Sequence, residues 1–444
     1  IIVNATQVSS SPTASELDEA LSKEKPKNID IPASFKTKYF EDRSTGRSVT
    51  PEEVEEAYLN LKNSAPGSDE ISFADWKSFD PKGIFLSALF SVIIRDKCQP
   101  EQWRTFRTVM ILKPGKDNAS NQVSSWRPIA ILDTCYRLFA KIMNKRILSW
   151  IRRGGLISPF QKAIGQPDGC AEHNFLLTSI EEEAVRTKDK EVHVAILDLT
   201  DAFGSVPHQL IWATLEKMGL DSDTITLFQD LYTNNKTVYQ CNGVYSSAID
   251  IVQGVKQGCP LSMTLFCLSI DFLIKGVELM PHAPTIHEKE VAVLAYADDL
   301  VILSTYNRDL QTKINRINRL AKWAHLKFNA SKCGYFSTSV FFPQEQISID
   351  GVPIPTVDAD NLYKYLGVPH GQQKRQDISH IIDKATVDYQ AILDSDLSMR
   401  QKILVLNMFI LPRFTYALRT HAVAIQSLFS PEGRQAKGKP KSNG

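Results

Sequence analysis

Two adjacent carboxylates, Asp298 and Asp299, interrupt an otherwise apolar stretch at residues 291–304. Each flanking run is short and rich in leucine and β-branched residues, so the stretch reads as two buried strands folded back on each other, with the acids at or beside the turn. Like charges side by side in such a hairpin are costly unless a cation binds them. A solvated Asp-Asp turn on an edge hairpin is the ordinary alternative, and for this pair taken alone it would be favoured. The rest of the chain reverses that preference.

With 444 residues, 43% of them hydrophobic, the chain can bury a sizeable core and is expected to form roughly three domains or one multi-lobed body. No apolar run approaches the roughly 18 residues of a membrane span, and the N-terminus lacks the pattern of a secretory leader. We therefore expect a soluble chain with no membrane partner. Because it begins with Ile1 rather than Met, we expect a piece of a longer polypeptide. Its seven cysteines, an odd number without C-x-x-C pairs, fit reduced thiols in an intracellular protein without structural zinc.

A net charge of +1 conceals an uneven distribution: from Arg104 to Arg153, eleven Lys or Arg face only Asp117 and Asp133. Charge runs are usually solvated helix faces, but tryptophan and tyrosine lie among these cations, and the block is expected to face a polyanion.

Residues 1–49 read as an arm or linker, and residues 50–94 as an extension of helices. The first helix opens at Thr50-Pro51-Glu52-Glu53 and runs to about Leu61, and a second covers Ile84 to Ile94. Strands at Val109–Leu112 and Trp126–Leu132 flank the basic loop Lys113-Pro114-Gly115-Lys116. A helix from Asp133 ends at Gly154-Gly155. The strand Val192–Leu199 delivers Asp198 near its end; the next helix, His208 to Met218, starts at Pro207, and capping by Ser205 competes with any role for Asp201. A hairpin is expected at Asn242-Gly243. The glycine-bearing loop Gln253–Ser262 lets backbone approach a ligand and opens an apolar helix to about Ile274. Beyond residue 370 the pattern is helical up to Pro412, a separate lobe by composition, followed by a basic, disordered tail at 429–444.

Asp198 from one strand and Asp298 with Asp299 from another would make an oxygen-rich site suited to Mg²⁺. Two such ions suit in-line nucleotidyl or phosphoryl transfer, and Lys113 and Arg127 flank the loop best placed to hold a triphosphate. In this setting the chain resembles the reverse transcriptases of non-LTR (LINE-type) retrotransposons. The matching segments run in order: Ala-Pro-Gly-Ser-Asp at 65, Lys-Pro-Gly-Lys at 113, Arg-Pro-Ile at 127, Asp-Leu-Thr-Asp-Ala-Phe at 198, Gln-Gly-Cys-Pro-Leu-Ser at 257, Tyr-Ala-Asp-Asp at 296, Asn-Ala-Ser-Lys at 329 and Tyr-Lys-Tyr-Leu-Gly at 363. Eight segments in register make a chance match improbable.

The resemblance implies an α+β right-hand polymerase, with fingers and an antiparallel palm over 95–370 and a helical thumb over 371–428. It implies an RNA-directed DNA polymerase that extends a DNA primer or nicked target on an RNA template, using dNTPs and two Mg²⁺ ions, with Mn²⁺ as a substitute, in the nucleus. Protein partners are not indicated. Asp198 and Asp298 would ligate metal and Asp299 would support them. Phe203 would block a ribose 2′-hydroxyl, Gln257 would contact the nucleotide, Lys332 would sit by the leaving pyrophosphate, and Tyr365, Leu366 and Gly367 would grip the primer. Gly204 and Met263 depart from the family pattern, where Asp and Pro are frequent; both bear on loop geometry. The rivals are a group II intron-like maturase and a decayed or domesticated copy that only binds RNA.

Overall fold

Thr50 opens helix α1 (Pro51–Tyr58) with a reciprocal capping box: its side chain accepts from the Glu53 amide, and the Glu53 carboxylate accepts from the Thr50 amide. The helix ends at Leu59, two residues earlier than expected. In this computed structural model the described residues are 39–59, 61, 64–113, 125–165, 168–187, 191–241, 243–338, 345–358, 362–371 and 379–420. Most of the expected N-terminal arm, the 429–444 tail, Asn242, Ile378 and the Pro114–Lys116 part of the basic loop lie outside them. The fold is α+β. Its chain divides into two compact units, one made of residues 1–165, 199–279 and 315–329, the other of 166–198, 280–314 and 330–444.

In the first unit a short helix that sequence patterning missed, α2 (Phe73–Phe79), begins with its own capping box at Ser72 and Asp75, and α3 (Ile84–Asp96) follows. Strands β1 (Thr105–Leu112), which starts four residues before the expected Val109, and β2 (Trp126–Ile131) pair antiparallel. Helix α4 (Thr134–Gly154) buries Leu138, Phe139, Met143, Ile147 and Trp150 and terminates where Gly155 takes a left-handed backbone, φ 54°.

Six of the eleven cations in the basic block, Arg104, Arg137, Lys141, Lys145, Arg146 and Arg153, are engaged with the protein itself. Arg104 bonds Asp230 and the Thr233 carbonyl, Arg137 bonds the Ala65 carbonyl and lies over Phe73, and Lys141 bonds the carbonyls of Ala57 and Leu59. Lys145 pairs with Glu56, Arg146 with Glu53 and Arg153 with Asp42. These cations tie α4 and the start of β1 to neighbouring elements, which is packing work, and a one-dimensional charge count cannot tell it from a binding face.

The second unit holds α5 (Gly169–Arg186), also unread from sequence, and β3 (His193–Leu197), all five of whose residues are buried. Back in the first unit come the single turn α6 (Ala202–Ser205), α7 (His208–Lys217), α8 (Ser222–Tyr232), the hairpin β4 (Lys236–Cys241) and β5 (Val244–Asp250), and α9 (Ser262–Lys275). Ser205 does not cap α7: no side chain does, and the Ser205 hydroxyl turns back toward the Thr200 and Ala202 carbonyls. The first unit's sheet runs β2-β1-β4-β5, with β1 parallel to β4.

The second unit's sheet comprises β3, β6 (Val293–Tyr296), β7 (Asp299–Ser304) and β8 (Gly334–Ser337), in the order β8-β3-β7-β6 and antiparallel throughout. Near-complete burial of these strands explains why their sequences are apolar without alternation. The helix α10 (Asn307–Trp323) buries the stripe Leu310, Ile314, Ile317 and Ala321 that its 3.6-residue period predicts. A tight hairpin follows, β9 (Tyr363–Tyr365) and β10 (Val368–His370), turning on Leu366 at φ 44° and Gly367 at φ 89°, the left-handed pair that a two-residue loop requires.

Beyond it come α11 (Ser379–Asp394), α12 (Met399–Val405), a π turn at Leu406–Ile410 and α13 (Leu411–Thr420). Pro412 was expected to end the helix and does not. The π turn closes with Leu411 N–H on the Leu406 carbonyl, so a proline in the next position falls in the first turn of α13, where its missing N–H is tolerated.

Candidate active site

Strand pairing fixes the acidic site. β3 and β7 run antiparallel with Leu197 opposite Leu300, so the next residues outward are Asp198 and Asp299. β6 and β7 close on Tyr296 opposite Asp299, and the turn between them is Ala297-Asp298, with Ala297 at φ 52°. All three carboxylates therefore emerge at one end of one sheet, half-buried, within the second unit. Burial, then the charge of Asp298, then that of Asp198, push the Asp299 carboxyl up to about 6. Carboxylates gathered in this way at a half-buried sheet end repel one another and favour a proton or a cation among them.

Lys332 approaches this group. It ends a 3-10 turn, its side chain is 59% exposed, and its Nζ lies 3.8 Å from Asp198 Oδ2, beyond direct hydrogen bonding but within ionic reach. Tyr363 donates to the Lys332 carbonyl at 3.0 Å, and Gly334 leaves room for the Tyr363 ring: a Cβ there would stand 2.5 Å from Cδ2. The Asp198 amide donates to Cys333 Sγ at 3.4 Å. Tyr363 and Cys333 thus shape the site; Tyr363 opens a matching segment but carried no expected role, and Cys333 was not singled out from sequence. An aromatic and a cysteine beside strands read as core.

Two further residues missed from sequence lie on α5. His173 Nε2 is 3.0 Å from the Ala295 carbonyl on β6, just before the acidic turn. The Asn174 amide nitrogen bonds Tyr416 of α13 at 2.9 Å while its oxygen meets His370 Nε2 at 3.0 Å, and His370 Nδ1 meets Glu181 at 3.0 Å. Tyr416 in turn donates to the Leu366 carbonyl at 2.5 Å. The β9–β10 turn is therefore clamped to α5 and α13. Tyr365 is 1% exposed, so its ring lies inside the unit, whereas Leu366 is half-buried and Gly367 exposed at the turn.

The remaining candidates belong to the first unit. Arg127 is exposed on β2, opposite Ile111, and the Lys113 amide donates to the Ser125 carbonyl at 2.9 Å. Phe203 stacks on Phe266, with centroids 4.4 Å apart and planes 15° from parallel. The loop before α9 bridges these parts: Val255 N–H donates to the Phe203 carbonyl at 2.8 Å, and Ala130 N–H on β2 donates to the Gln257 carbonyl at 2.6 Å. Phe203, Gln257 and the strand carrying Arg127 share one backbone frame.

Gly204, a departure from the family pattern, has a local cause. A Cβ at 204 would lie 2.3 Å from Asp201 Oδ2, so the Asp201 carboxylate occupies that side-chain space. Although Asp201 as a residue is exposed, its carboxyl is tucked against this turn; desolvation raises its proton affinity, and the Lys113 charge and Gly204 N–H oppose the rise.

Among the described residues no three His, Cys, Asp or Glu side chains form a preformed metal cage. The donors at the sheet end are hard carboxylate oxygens. Mg²⁺ commonly takes only one or two carboxylates and completes its shell with water and substrate phosphate, so this donor set fits it. Carboxylates gathered at a strand end are what metal-dependent nucleotidyl- and phosphoryl-transferases use as a class.

Comparison with known proteins gives the family. The chain belongs to the reverse transcriptase (RNA-dependent DNA polymerase) family, whose model matches residues 111–370. Within it, the similarity is to polymerases of non-LTR retrotransposons. The chain is 27% identical over 394 residues to a Pol polyprotein of the type-1 retrotransposable element R2 of Popillia japonica, covering 86% of this chain and 53% of that one. It is 24% identical to the R2DM polyprotein of Drosophila melanogaster (85% and 35% covered) and 25% identical to the RNA-directed DNA polymerase of the mobile element jockey of Drosophila funebris (85% and 42%). It spans from about a third to about half the length of such relatives. Among the described residues no helix is long and apolar enough to cross a membrane.

Proposed function

We propose that this chain is the polymerase portion of a non-LTR retrotransposon protein and extends a DNA primer 3′-hydroxyl along an RNA template with deoxynucleoside triphosphates. The observation that carries this reading is the convergence of Asp198, Asp298 and Asp299 at one end of an antiparallel sheet in a chain of the reverse transcriptase family. In this reading the chain is a right hand, with fingers and palm over 95–370 and a thumb over 371–428, and acts in the nucleus, where a nicked target would prime synthesis. Asp198 and Asp298 would hold two Mg²⁺ ions, which when bound supply an acidified primer hydroxyl and stabilise charge on the phosphorus oxygens.

The chain's own residues do the rest. Asp299, half-buried, adds negative charge behind the two ligands. Lys332 stands on the exposed side of Asp198, where it can neutralise or protonate a departing pyrophosphate. Lys113 and Arg127 bind the triphosphate, and Gln257 contacts the nucleotide. The Leu366–Gly367 turn, exposed at Gly367, grips the primer through its backbone, Tyr365 supporting it from within. Primer extension on poly-rA with dTTP and Mg²⁺ tests the reading; failure to extend, with template-primer still bound, would leave an RNA-binding protein instead.

Phe203 is assigned the role of excluding the ribose 2′-hydroxyl, its ring held flat by the stack on Phe266. Phe203→Val is expected to lower the dNTP-over-rNTP preference by roughly 10- to 100-fold, read by single-nucleotide incorporation. An unchanged preference would remove Phe203 from the nucleotide site and leave it as core.

A further inference from the structure

Lys256 is 4% exposed, and its Nζ donates to the Leu231 carbonyl in the last turn of α8 at 2.9 Å. Three aromatic rings enclose the ammonium: Tyr136 of α4 at 4.7 Å, with Phe106 of β1 and Tyr232 of α8 each at 5.3 Å from Nζ to centroid. A methionine would fill this space without desolvating a charge, so the ammonium calls for a reason beyond packing. The residues on either side supply one. Val255 is bonded to the Phe203 carbonyl, and the Gln257 carbonyl takes the outward-facing N–H of Ala130 at 2.6 Å. Gly258, at φ 124°, lets the loop approach so closely that a Cβ would stand 2.5 Å from the Ala130 carbonyl.

We propose that Lys256 is a positioning residue: its caged ammonium pins the Val255–Gly258 backbone to α8 and the aromatic wall, and thereby holds Gln257 on the edge of β2 in register for the incoming nucleotide. The role of Gln257 rests on the function proposed above; the pinning of the loop does not. A carbonyl at a helix C-terminus and three ring faces attract a cation and give a neutral side chain little in return. The pin should accordingly weaken when the ammonium loses its proton.

Burial lowers the Lys256 pKa to about 8, with the Cys259 thiol on its own loop opposing and Arg104 adding to the drop. The other groups facing it are the hydroxyls of Tyr136 and Tyr232, His208 of α7, which bonds the Gly254 carbonyl at 2.9 Å, and Asp230 of α8, already bonded to Arg104 and to the Gln99 amide. Among the described residues no carboxylate forms an ion pair with Lys256. Its charge therefore falls through the range around pH 8, from nearly full at pH 7 to nearly gone at pH 9.5.

The test uses the whole chain with Lys256→Met and Gln257→Ala, read by the KM for dTTP in primer extension from pH 7 to 9.5 and by hydrogen exchange of peptides covering 126–132, corrected for intrinsic rates. Lys256→Met should raise KM about tenfold with kcat changed less than about threefold, and should speed exchange at the β2 edge. In the parent, KM and edge exchange should both rise above pH 8; in Lys256→Met both should be flat across that range. Should Lys256→Met fold poorly, the parent's pH series still tests the pin, because KM and edge exchange that stay flat through pH 8 overturn it. Protection and KM unchanged by the substitution, or an alkaline rise that persists in it, overturns the pin. Gln257→Ala with an unchanged KM removes the nucleotide role of Gln257, and edge exchange then judges Lys256 alone.

Discussion

Asp298→Asn is expected to abolish primer extension, lowering the rate at least about a thousandfold, while leaving template-primer binding and thermal stability near those of the parent. Asparagine keeps the size and the hydrogen-bonding shape of the turn residue, so the β6–β7 hairpin should close as before around the left-handed Ala297. What it removes is one formal charge and, in the proposed function, one anionic ligand oxygen at the point where a divalent cation would neutralise phosphate. A metal contribution of several kcal/mol, with each 1.4 kcal/mol worth about tenfold in rate, sets the size of the loss.

The fold should benefit slightly in chelator-containing buffer. The Asp299 carboxyl, raised to about 6 from its usual 3.8 by burial and then by Asp298 and Asp198, binds its proton more tightly in the folded chain than in the unfolded one. This group's contribution to stability therefore falls as pH rises through 3.8 to 6, and removing the Asp298 charge makes that fall smaller. Extension that survives in Asp298→Asn with Mg²⁺ would remove Asp298 from the metal site; extension lost together with a collapsed melting transition would mean that the turn itself needs the carboxylate.

The acidic hairpin was legible because it breaks a rule: charges inside short apolar strands have no packing reason to be there. The same contrast exposed β3 and Asp198. Where the signal was ordinary, sequence said little. α5 has mixed polarity along its length, and its contributions, His173 under β6 and Asn174 against His370, are single polar side chains whose partners lie more than a hundred residues away. The fully buried Lys256 could not be told from the exposed lysines around it, because burial is not written in a residue's identity. Pro412 misled because proline's rule for helix interiors was applied to a position that the preceding π turn makes a helix start. The basic block shows a related limit: proximity in sequence groups charges that the fold sends to different partners.

Arg146 shows what those charges do, and its loss is expected to have the largest effect on stability. Its side chain is 6% exposed and forms a bidentate pair with Glu53, Nε to Oε1 at 2.9 Å and Nη2 to Oε2 at 2.7 Å. Its remaining donors meet the carbonyls of Thr45 at 3.0 Å, Arg47 at 2.6 Å and Ser48 at 3.0 Å. One guanidinium thus fastens residues 45–48 and the capping box of α1 to α4. Arg146→Met should cost about 3–5 kcal/mol, because it removes the donor from three backbone carbonyls and leaves the Glu53 carboxylate with only the Thr50 amide and the exposed Arg47.

The pH dependence carries a definite sign. Burial by itself would raise the Glu53 pKa, but the hydrogen bond from Arg146, the Thr50 amide and the Arg146 charge outweigh it and hold the carboxyl below its ordinary 4.5. The pair's stabilisation is therefore present above about pH 4.5 and lost as pH falls through the lowered value, so the gap between parent and variant should narrow from pH 7 to pH 4 in urea titrations. Adding Glu53→Gln to Arg146→Met should recover part of the loss by removing that poorly paired charge. If the residue instead faces nucleic acid, the variant will keep its stability and show a shallower dependence of template binding on salt. A loss below about 1 kcal/mol together with that flattened salt dependence would place Arg146 on a polyanion-binding surface; a full loss with the salt dependence unchanged places it in the framework that fastens residues 45–48 and α1 to α4.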